Sequence, residues 1–517
     1  MIDANEGDDP LATALDPANV LPRRVEHWFG HEPNRPFLVE ADHGRRETYG
    51  SFRQLVRRWA RVLHDRDVGP GDRVASFLPS SIDAHAVWLA TGLLGAFEVP
   101  VNPELRGGFL RHVLDDSRAT LAVVRPSQRD LVDGAGIATL TTLVAPIDGA
   151  LTADVEPLAV DRLPGPDDVS CVIYTSGTTG SAKGVVITWA QMSATIGRIP
   201  RVWLSDADAV YACWPMFHVT GRSPLCTMAD VGGRVVLREK FSLGDFWPDV
   251  RAHGCTSTTI GAVTALLLAV PPRADDGDHP LRHALFGKVG ASGLAFLDRF
   301  GVRGLAFYGS TEAGFPILNR AVSPDNADTI GTLRPGYDAR VVDPEGADVT
   351  LGHAGELWIR PPARQLVLRE YLDDPERTAA AVVDGWYRTG DAVRRCAGGG
   401  FVFVDRMRDT IRRFGENISS SAIEDAVAAD AEVLECAAIG VASPVTGQEI
   451  ALLVVRPPGV DTDPAALAAR LRDVLPRHML PAYIALVDEF PRTPTGKVRK
   501  AELAERFVPD AAWKAPR

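Results

Sequence analysis

The residues most able to do chemistry come as one run, Ile173-Tyr174-Thr175-Ser176-Gly177-Thr178-Thr179-Gly180-Ser181-Ala182-Lys183-Gly184, directly after an apolar stretch. Glycines let the N–H groups of a loop converge on an anion, hydroxyls add donors, and one lysine brings a point charge, so the run suits a polyphosphate. It is not the GxxxxGK[ST] loop. Counted from Gly177, that pattern needs a glycine immediately before Lys183, where Ala182 stands, and Gly184 replaces the final Ser or Thr.

Further segments combine titratable groups with glycine. They are Trp214-Pro215-Met216-Phe217-His218, Tyr308-Gly309-Ser310-Thr311-Glu312-Ala313-Gly314 and Tyr387-Arg388-Thr389-Gly390-Asp391. Later come Asp405-Arg406-Met407-Arg408-Asp409, Gly415-Glu416-Asn417-Ile418 and Pro494-Thr495-Gly496-Lys497-Val498-Arg499-Lys500. Singly, most have a structural reading: an Asp ending TGD fits a tight turn, a Tyr closing an apolar strand fits the core, and His218 is one of 12 histidines. His27/His31 and His279/His283 have the i, i+4 spacing of metal ligands. No HExxH or cysteine set accompanies them, so both pairs read as structural or exposed.

In this order the segments resemble the signature motifs of the adenylate-forming superfamily, which includes acyl-CoA synthetases, luciferases and peptide-synthetase adenylation domains. The similarity runs from about residue 25 to 505. The resemblance implies an acid–thiol ligase of the acyl-CoA synthetase branch, with ATP, Mg²⁺ and coenzyme A. A carboxylate attacks the α-phosphorus of ATP to give an acyl adenylate, and CoA then takes the acyl group as a thioester with release of AMP. On that resemblance Thr175, Ser176, Gly177, Thr178, Thr179 and Gly180 cradle the phosphates with Lys183. Glu312, beside the Thr311 hydroxyl, and Thr179 hold Mg²⁺, and Lys497 brings an ammonium to the α-phosphate.

The same resemblance has Asp391 accept from the ribose hydroxyls with Arg406 alongside, and Tyr308 cover the adenine with Gly309 and Ser310 next to it. His218 then stands at the carboxylate end of the acyl pocket. Because Lys497 would obstruct the thiol in the second step, the C-terminal domain has to rotate, with Arg408 as the hinge by motif position. Gly415 then lines the pantetheine passage, which a Cβ would narrow. Arg412 and Arg413 could meet the CoA phosphates, although a charge pair usually marks a solvated face.

Thr220, Gly221, Gly261, Ala262, Gly290, Ala291 and Ser292 are the expected pocket lining, mostly small and with no acidic residue to hold an amino acid's ammonium. That predicts a bulky hydrophobic carboxylic acid, fatty acyl or secondary-metabolite in kind. Some positions depart from the family pattern. Arg408 replaces the usual Asp or Lys, Ser181-Ala182 replaces a residue-plus-proline and softens the loop, and Arg369 stands where Gly is common. The stretch from Val289 to Leu294 resembles the acyl-pocket loop but lies close to Tyr308.

A softened loop suits an alternative, an enzyme that converts a supplied acyl adenylate to acyl-CoA. Another is a freestanding adenylation enzyme loading a carrier protein, which would be a separate partner since no carrier domain follows Arg517. A nucleotide-binding module without turnover would be expected to lack Lys183, Glu312, Asp391 or Lys497, and all four are present.

These residues need elements to hold them. From Ser51, Phe52, Leu55, Val56, Trp59, Val62 and Leu63 recur at helical spacing. Short β-rich runs at 121–124, 169–174, 209–213, 234–237, 256–260 and 305–308 alternate with helix-length segments, which predicts an α/β fold with a largely parallel core. After about 320 the strands come closer together (339–342, 355–359, 400–404), as in an antiparallel barrel or meander. Beyond Asp405 a helix at 422–429, strands at 437–441 and 450–455, a helix at 464–475 and a strand near Ile484 make a compact α+β unit. The expected division is an N-terminal AMP-binding domain over 1–405, with its β-rich subdomain at about 320–405, and a small mobile domain over 406–517.

Composition agrees with a globular enzyme: 517 residues, 45% hydrophobic, 24% charged and a net charge of −12. The charge argues against nucleic acid or an anionic membrane as partner. The six cysteines include no CxxC, as for reduced thiols in the cytoplasm, and the acidic N-terminus lacks a signal pattern. Uncharged runs fall short of the ~20 apolar residues of a membrane span. A soluble cytoplasmic protein is expected, with a homodimer as its possible assembly.

Overall fold

The computed structural model describes residues 14–145, 150–175, 182–407, 409–413, 416–443, 446–493 and 497–515. By packing, the chain forms two compact units, Met1–Ala339 with Ile359–Arg388, and Arg340–Trp358 with Thr389–Arg517.

The first unit is α/β, built on two mixed sheets. In the seven-stranded sheet, Phe97–Pro100, Arg73–Phe77, Leu121–Val124 and Thr141–Val144 run parallel in that spatial order. Val169–Thr175 joins them next to Phe97–Pro100 and then turns back as the antiparallel strand Lys183–Thr188. In the nine-stranded sheet, Arg303–Ser310, His283–Phe286, Ser257–Thr259, Ala209–Ala212, Arg234–Leu237 and Pro36–Glu40 are parallel, and antiparallel strands close both edges. The parallel strands are apolar runs because helices cover them, as Leu121–Val124, buried at all four positions, illustrates.

Helix Tyr49–His64 bears out the spacing seen in the sequence. A capping box of Thr48 and Ser51 starts it, and Phe52, Leu55, Val56, Trp59, Val62 and Leu63 are all buried. Helix Val219–Val231 is capped by His218 and ends at Gly232 with φ 77°. Its Arg222 is fully buried against Glu98 at 2.6 Å and donates through Nε to the Met216 carbonyl at 2.6 Å. The Ser76 hydroxyl donates to the other Glu98 oxygen at 2.6 Å. This pair fastens the loop that carries His218 to the seven-stranded sheet.

Strands of segment 338–406 form a five-stranded half-barrel sheet. Within the second unit, Asp391 lies opposite Arg406 where Trp386–Arg395 pairs with Phe401–Arg406. The unit's α+β part has a six-stranded sheet around Gly447–Val455, with helices Ser420–Val427, Pro464–Val474 and Lys500–Arg506. Among the described residues no helix is long and apolar enough to cross a membrane. All six cysteines are free thiols, four of them buried.

Candidate active site

The polyphosphate-type run begins in strand Val169–Thr175 and ends in the antiparallel strand Lys183–Thr188. Thr175 ends one strand and sits opposite Lys183, which begins the next. Ser176, Gly177, Thr178, Thr179 and Gly180 lie outside the described residues, as do Arg408 and Gly415. The Ala182 carbonyl meets His112 Nε2 at 2.8 Å. Gly184 leaves no room for a side chain, since a Cβ there would come within 3.0 Å of Val172 and 3.1 Å of Leu372.

Lys183 and Glu312, 129 positions apart in the chain, form an ion pair at 3.0 Å. The Tyr371 hydroxyl bridges them, accepting from Lys183 Nζ at 2.7 Å and donating to Glu312 Oε1 at 3.2 Å. The ammonium also lies 4.2 Å from the Tyr371 ring centroid, a cation–π contact. Burial, then the Glu312 charge, pushes the Tyr371 phenol above its ordinary range, so it stays a neutral donor. Tyr387 is held protonated by burial first and by the same carboxylate second, with Ser310 as a side-chain partner.

The turn bearing Glu312 is fixed by its backbone. Gly309 passes so close to the next strand that a Cβ would lie 2.1 Å from the Gly314 carbonyl, and Gly314 itself has φ +65°. Ser310 Oγ accepts from Ala313 N at 3.0 Å. Buried Gln191 donates to the carbonyls of Thr311 and Glu312 at 2.8 and 3.2 Å, and Leu368 N donates to the Glu312 carbonyl at 2.6 Å. Tyr308 is 7% exposed at the end of its strand.

His218 caps its helix through Nδ1, 2.7 Å from the Thr220 hydroxyl and 3.3 Å from Thr220 N. Gly221 is required by that loop: a Cβ would stand 2.1 Å from the Pro215 carbonyl. Gly261 (φ +28°) and Gly290 (φ +59°) have open space where a Cβ would be. The stretch read as a pocket loop instead opens helix Gly290–Phe300, with Ala291 and Ser292 exposed on its first turn. Trp214 Nε1 donates to the Thr259 carbonyl at 2.7 Å, tying the His218 loop to the Ile260–Gly261 turn.

In the second unit, buried Asp391 pairs with Arg406 Nε at 3.0 Å, and Gly390 (φ 67°) donates its N–H to Glu356 at 3.0 Å. Lys497 is exposed, and its backbone is anchored by reciprocal bonds with Thr493, N to Oγ1 at 3.0 Å and O to N at 2.7 Å. Arg413 is committed internally, to Glu449 at 2.8 Å and to the carbonyls of His478 and Leu480. That use leaves it a poor candidate for CoA phosphates.

Tyr371 and Gln191 escaped the sequence reading, because each acts through partners far along the chain and neither sits in a motif. A tyrosine in the otherwise charged run Arg369-Glu370-Tyr371 was the one available signal for Tyr371.

Known proteins resemble the chain along most of its length. A family model described as AMP-binding enzyme matches residues 25–372, and one described as AMP-binding enzyme C-terminal domain matches 422–497. The sulfoacetate–CoA ligase of Cupriavidus necator is 32% identical over 502 residues, spanning 94% of this chain and 97% of its own. A feruloyl-CoA synthase of an Amycolatopsis species is 32% identical over 469 residues, 89% of this chain and 94% of its own. ATP-bound MatB from Rhodopseudomonas palustris superposes with a TM-score of 0.84 at 26% identity, over 94% of this chain and 98% of that one.

Proposed function

The chain belongs to the AMP-binding enzyme family, and from that premise we propose that it is an acyl-CoA synthetase that performs both half-reactions. The carboxylate oxygen of an organic acid bonds to the α-phosphorus of ATP as the bond to pyrophosphate breaks. The CoA sulfur then bonds to the acyl carbon, and AMP leaves. The observation that carries this reading is the Lys183–Tyr371–Glu312 cluster, an ammonium and a carboxylate held together where strand Lys183–Thr188 begins, directly after the hydroxyl- and glycine-rich run in sequence. Two anions must meet in the first step, so an ammonium preorganised next to the phosphate hairpin lowers its barrier.

Magnesium takes one or two carboxylates together with phosphate oxygens and water. Glu312, with the Thr311 hydroxyl, suits that role, and among the described residues no cluster of three or more His, Cys, Asp or Glu offers a closed cage. When bound, the ion supplies charge neutralisation at the phosphates. Tyr371 aims Glu312 by donating to it. Thr175 with Ser176, Gly177, Thr178, Thr179 and Gly180 binds phosphate, while Asp391 and Arg406 hold the ribose and Tyr308 covers the adenine. Lys497 serves the first step from the mobile segment 406–517, which turns at Arg408, and Gly415 borders the thiol's path.

His218 orients the acid's carboxylate, and Thr220, Gly261 and Gly290 border the acyl group. The small, uncharged lining supports a hydrophobic acid as substrate, and the feruloyl-CoA synthase resemblance agrees with it. A homodimer is the assembly expected in sedimentation velocity.

Incubation with ATP, Mg²⁺, CoA and a panel of sulfoacetate, ferulate, benzoate and medium-chain fatty acids tests the proposal. AMP and an acyl-CoA should appear together, with aryl and fatty acids preferred. AMP formed without thioester would overturn the two-step reading, and preference for sulfoacetate would overturn the hydrophobic pocket.

A further inference from the structure

A cavity of about 280 Å³ opens in the first unit and shares no lining residue with the site described above. Its walls collect the carboxyl ends of four strands. Glu40 ends Pro36–Glu40, Ser80 and Ser81 follow Arg73–Phe77, Arg125 and Gln128 follow Leu121–Val124, and Glu239 follows Arg234–Leu237. Arg73–Phe77 lies between Phe97–Pro100 and Leu121–Val124, so the chain leaves this strand to one side and returns on the other. Such reversals leave a crevice outside the strand ends where α/β proteins bind ligands.

Two buried, opposite charges share the cavity and form no ion pair with each other. Arg125 is 7% exposed, its Nε and Nη1 have no hydrogen-bond partner, and its Nη2 reaches only Ser81 Oγ, at 3.4 Å. Glu40 is 4% exposed and uses Oε1 to accept from Ile82 N at 2.7 Å. The fields of Asp83 and Glu239 also reach Arg125, but Asp83 is committed to Arg45 at 2.6 Å and to Trp59 Nε1 at 2.9 Å, and Glu239 makes no ion pair with it. Ser80 Oγ and Gln128 Oε1 are also buried without partners. A buried guanidinium with carboxylates near it but none bonded to it is destabilising, so this cluster is a poor core and a good receptor.

We propose that the cavity is a binding site for a small zwitterion of amino-acid size, its carboxylate received by Arg125 and the serine hydroxyls and its ammonium by Glu40 and Glu239. A nucleotide or polyphosphate would bring like charge against those two glutamates. A simple amine would leave Arg125 uncompensated, and a simple carboxylate would do the same to Glu40. A zwitterion answers both ends at once.

Calorimetric titration of the full-length chain with glycine, β-alanine and 4-aminobutyrate, against acetate and ethylammonium, tests this without turnover. At least one zwitterion should bind saturably, at least tenfold more tightly than either single-charge control, with an affinity unchanged by saturating CoA. Ser80→Ala and Arg125→Met should each weaken that binding tenfold or more. Ser80→Ala should leave the melting temperature of the free protein unchanged, and Arg125→Met should hold or raise it, because a buried charge with no carboxylate bonded to it is removed. No binding by any of the three, equal binding of acetate, displacement by CoA, or a lower melting temperature in Arg125→Met would each overturn the proposal.

Discussion

Tyr371 sets the local chemistry more than its place in the chain would suggest. Its hydroxyl touches both Lys183 and Glu312, and its ring supports the ammonium. Tyr371→Phe keeps the ring and removes both hydrogen bonds. With bonds to charged groups contributing about 1.5–3 kcal/mol, acid-dependent pyrophosphate exchange should fall ~10- to 100-fold while thermal stability changes little. Steady-state exchange beside a melting curve checks this. Lys183 and Glu312 were legible because each sits in a run whose neighbours limit its use. Tyr371 was not, because its partners stand 188 and 59 residues away and an aromatic at a strand end ordinarily reads as core.

The elements were most legible where burial is two-sided. Leu121–Val124 and Arg234–Leu237 read as strands from apolar continuity alone, and both form with those bounds. Lys183–Thr188 was hidden because its first residues belong to a motif read as loop, and only the partner strand Val169–Thr175 makes it a strand. The helix Gly290–Phe300 was missed at its start, since the run Gly290-Ala291-Ser292-Gly293 has weak helix propensity. Packing of Phe296 and Phe300 into the core overrides that weakness. Gly221 shows a glycine serving the fold as well as the pocket. In Gly221→Ala the Pro215 carbonyl, 2.1 Å from the new Cβ, must move and carry the His218 loop with it. The expected outcome is a loss of about 1–3 kcal/mol in chemical denaturation together with a reduced kcat/KM for adenylation, a pairing that a pocket-lining role alone would not produce.

At the scale of the molecule, two buried histidines tie stability to pH. Burial lowers both His85 and His283 to about 4, and the neighbouring Arg282 and Arg303 add to the effect at His283. Between pH 6.5 and 4 the unfolded chain therefore binds protons that the folded chain refuses. Stability is fully present above about pH 6.5 and falls as pH drops through that window, by up to about 3 kcal/mol per histidine. The apparent unfolding midpoint measured from pH 7 to 5 should decline, and His85→Gln should flatten the decline.

On the proposed function a single chain carries both half-reactions, with Lys497 needed for the first and dispensable for the second. That lysine is exposed and its backbone is tied to Thr493, so Lys497→Ala removes an ammonium without removing a core contact. The most direct measurement follows both steps in this variant, pyrophosphate exchange with ATP and acid, and acyl-CoA formation from synthetic acyl adenylate and CoA. Exchange should fall by at least 100-fold with thioester formation retained. Exchange at the wild-type rate would contradict it.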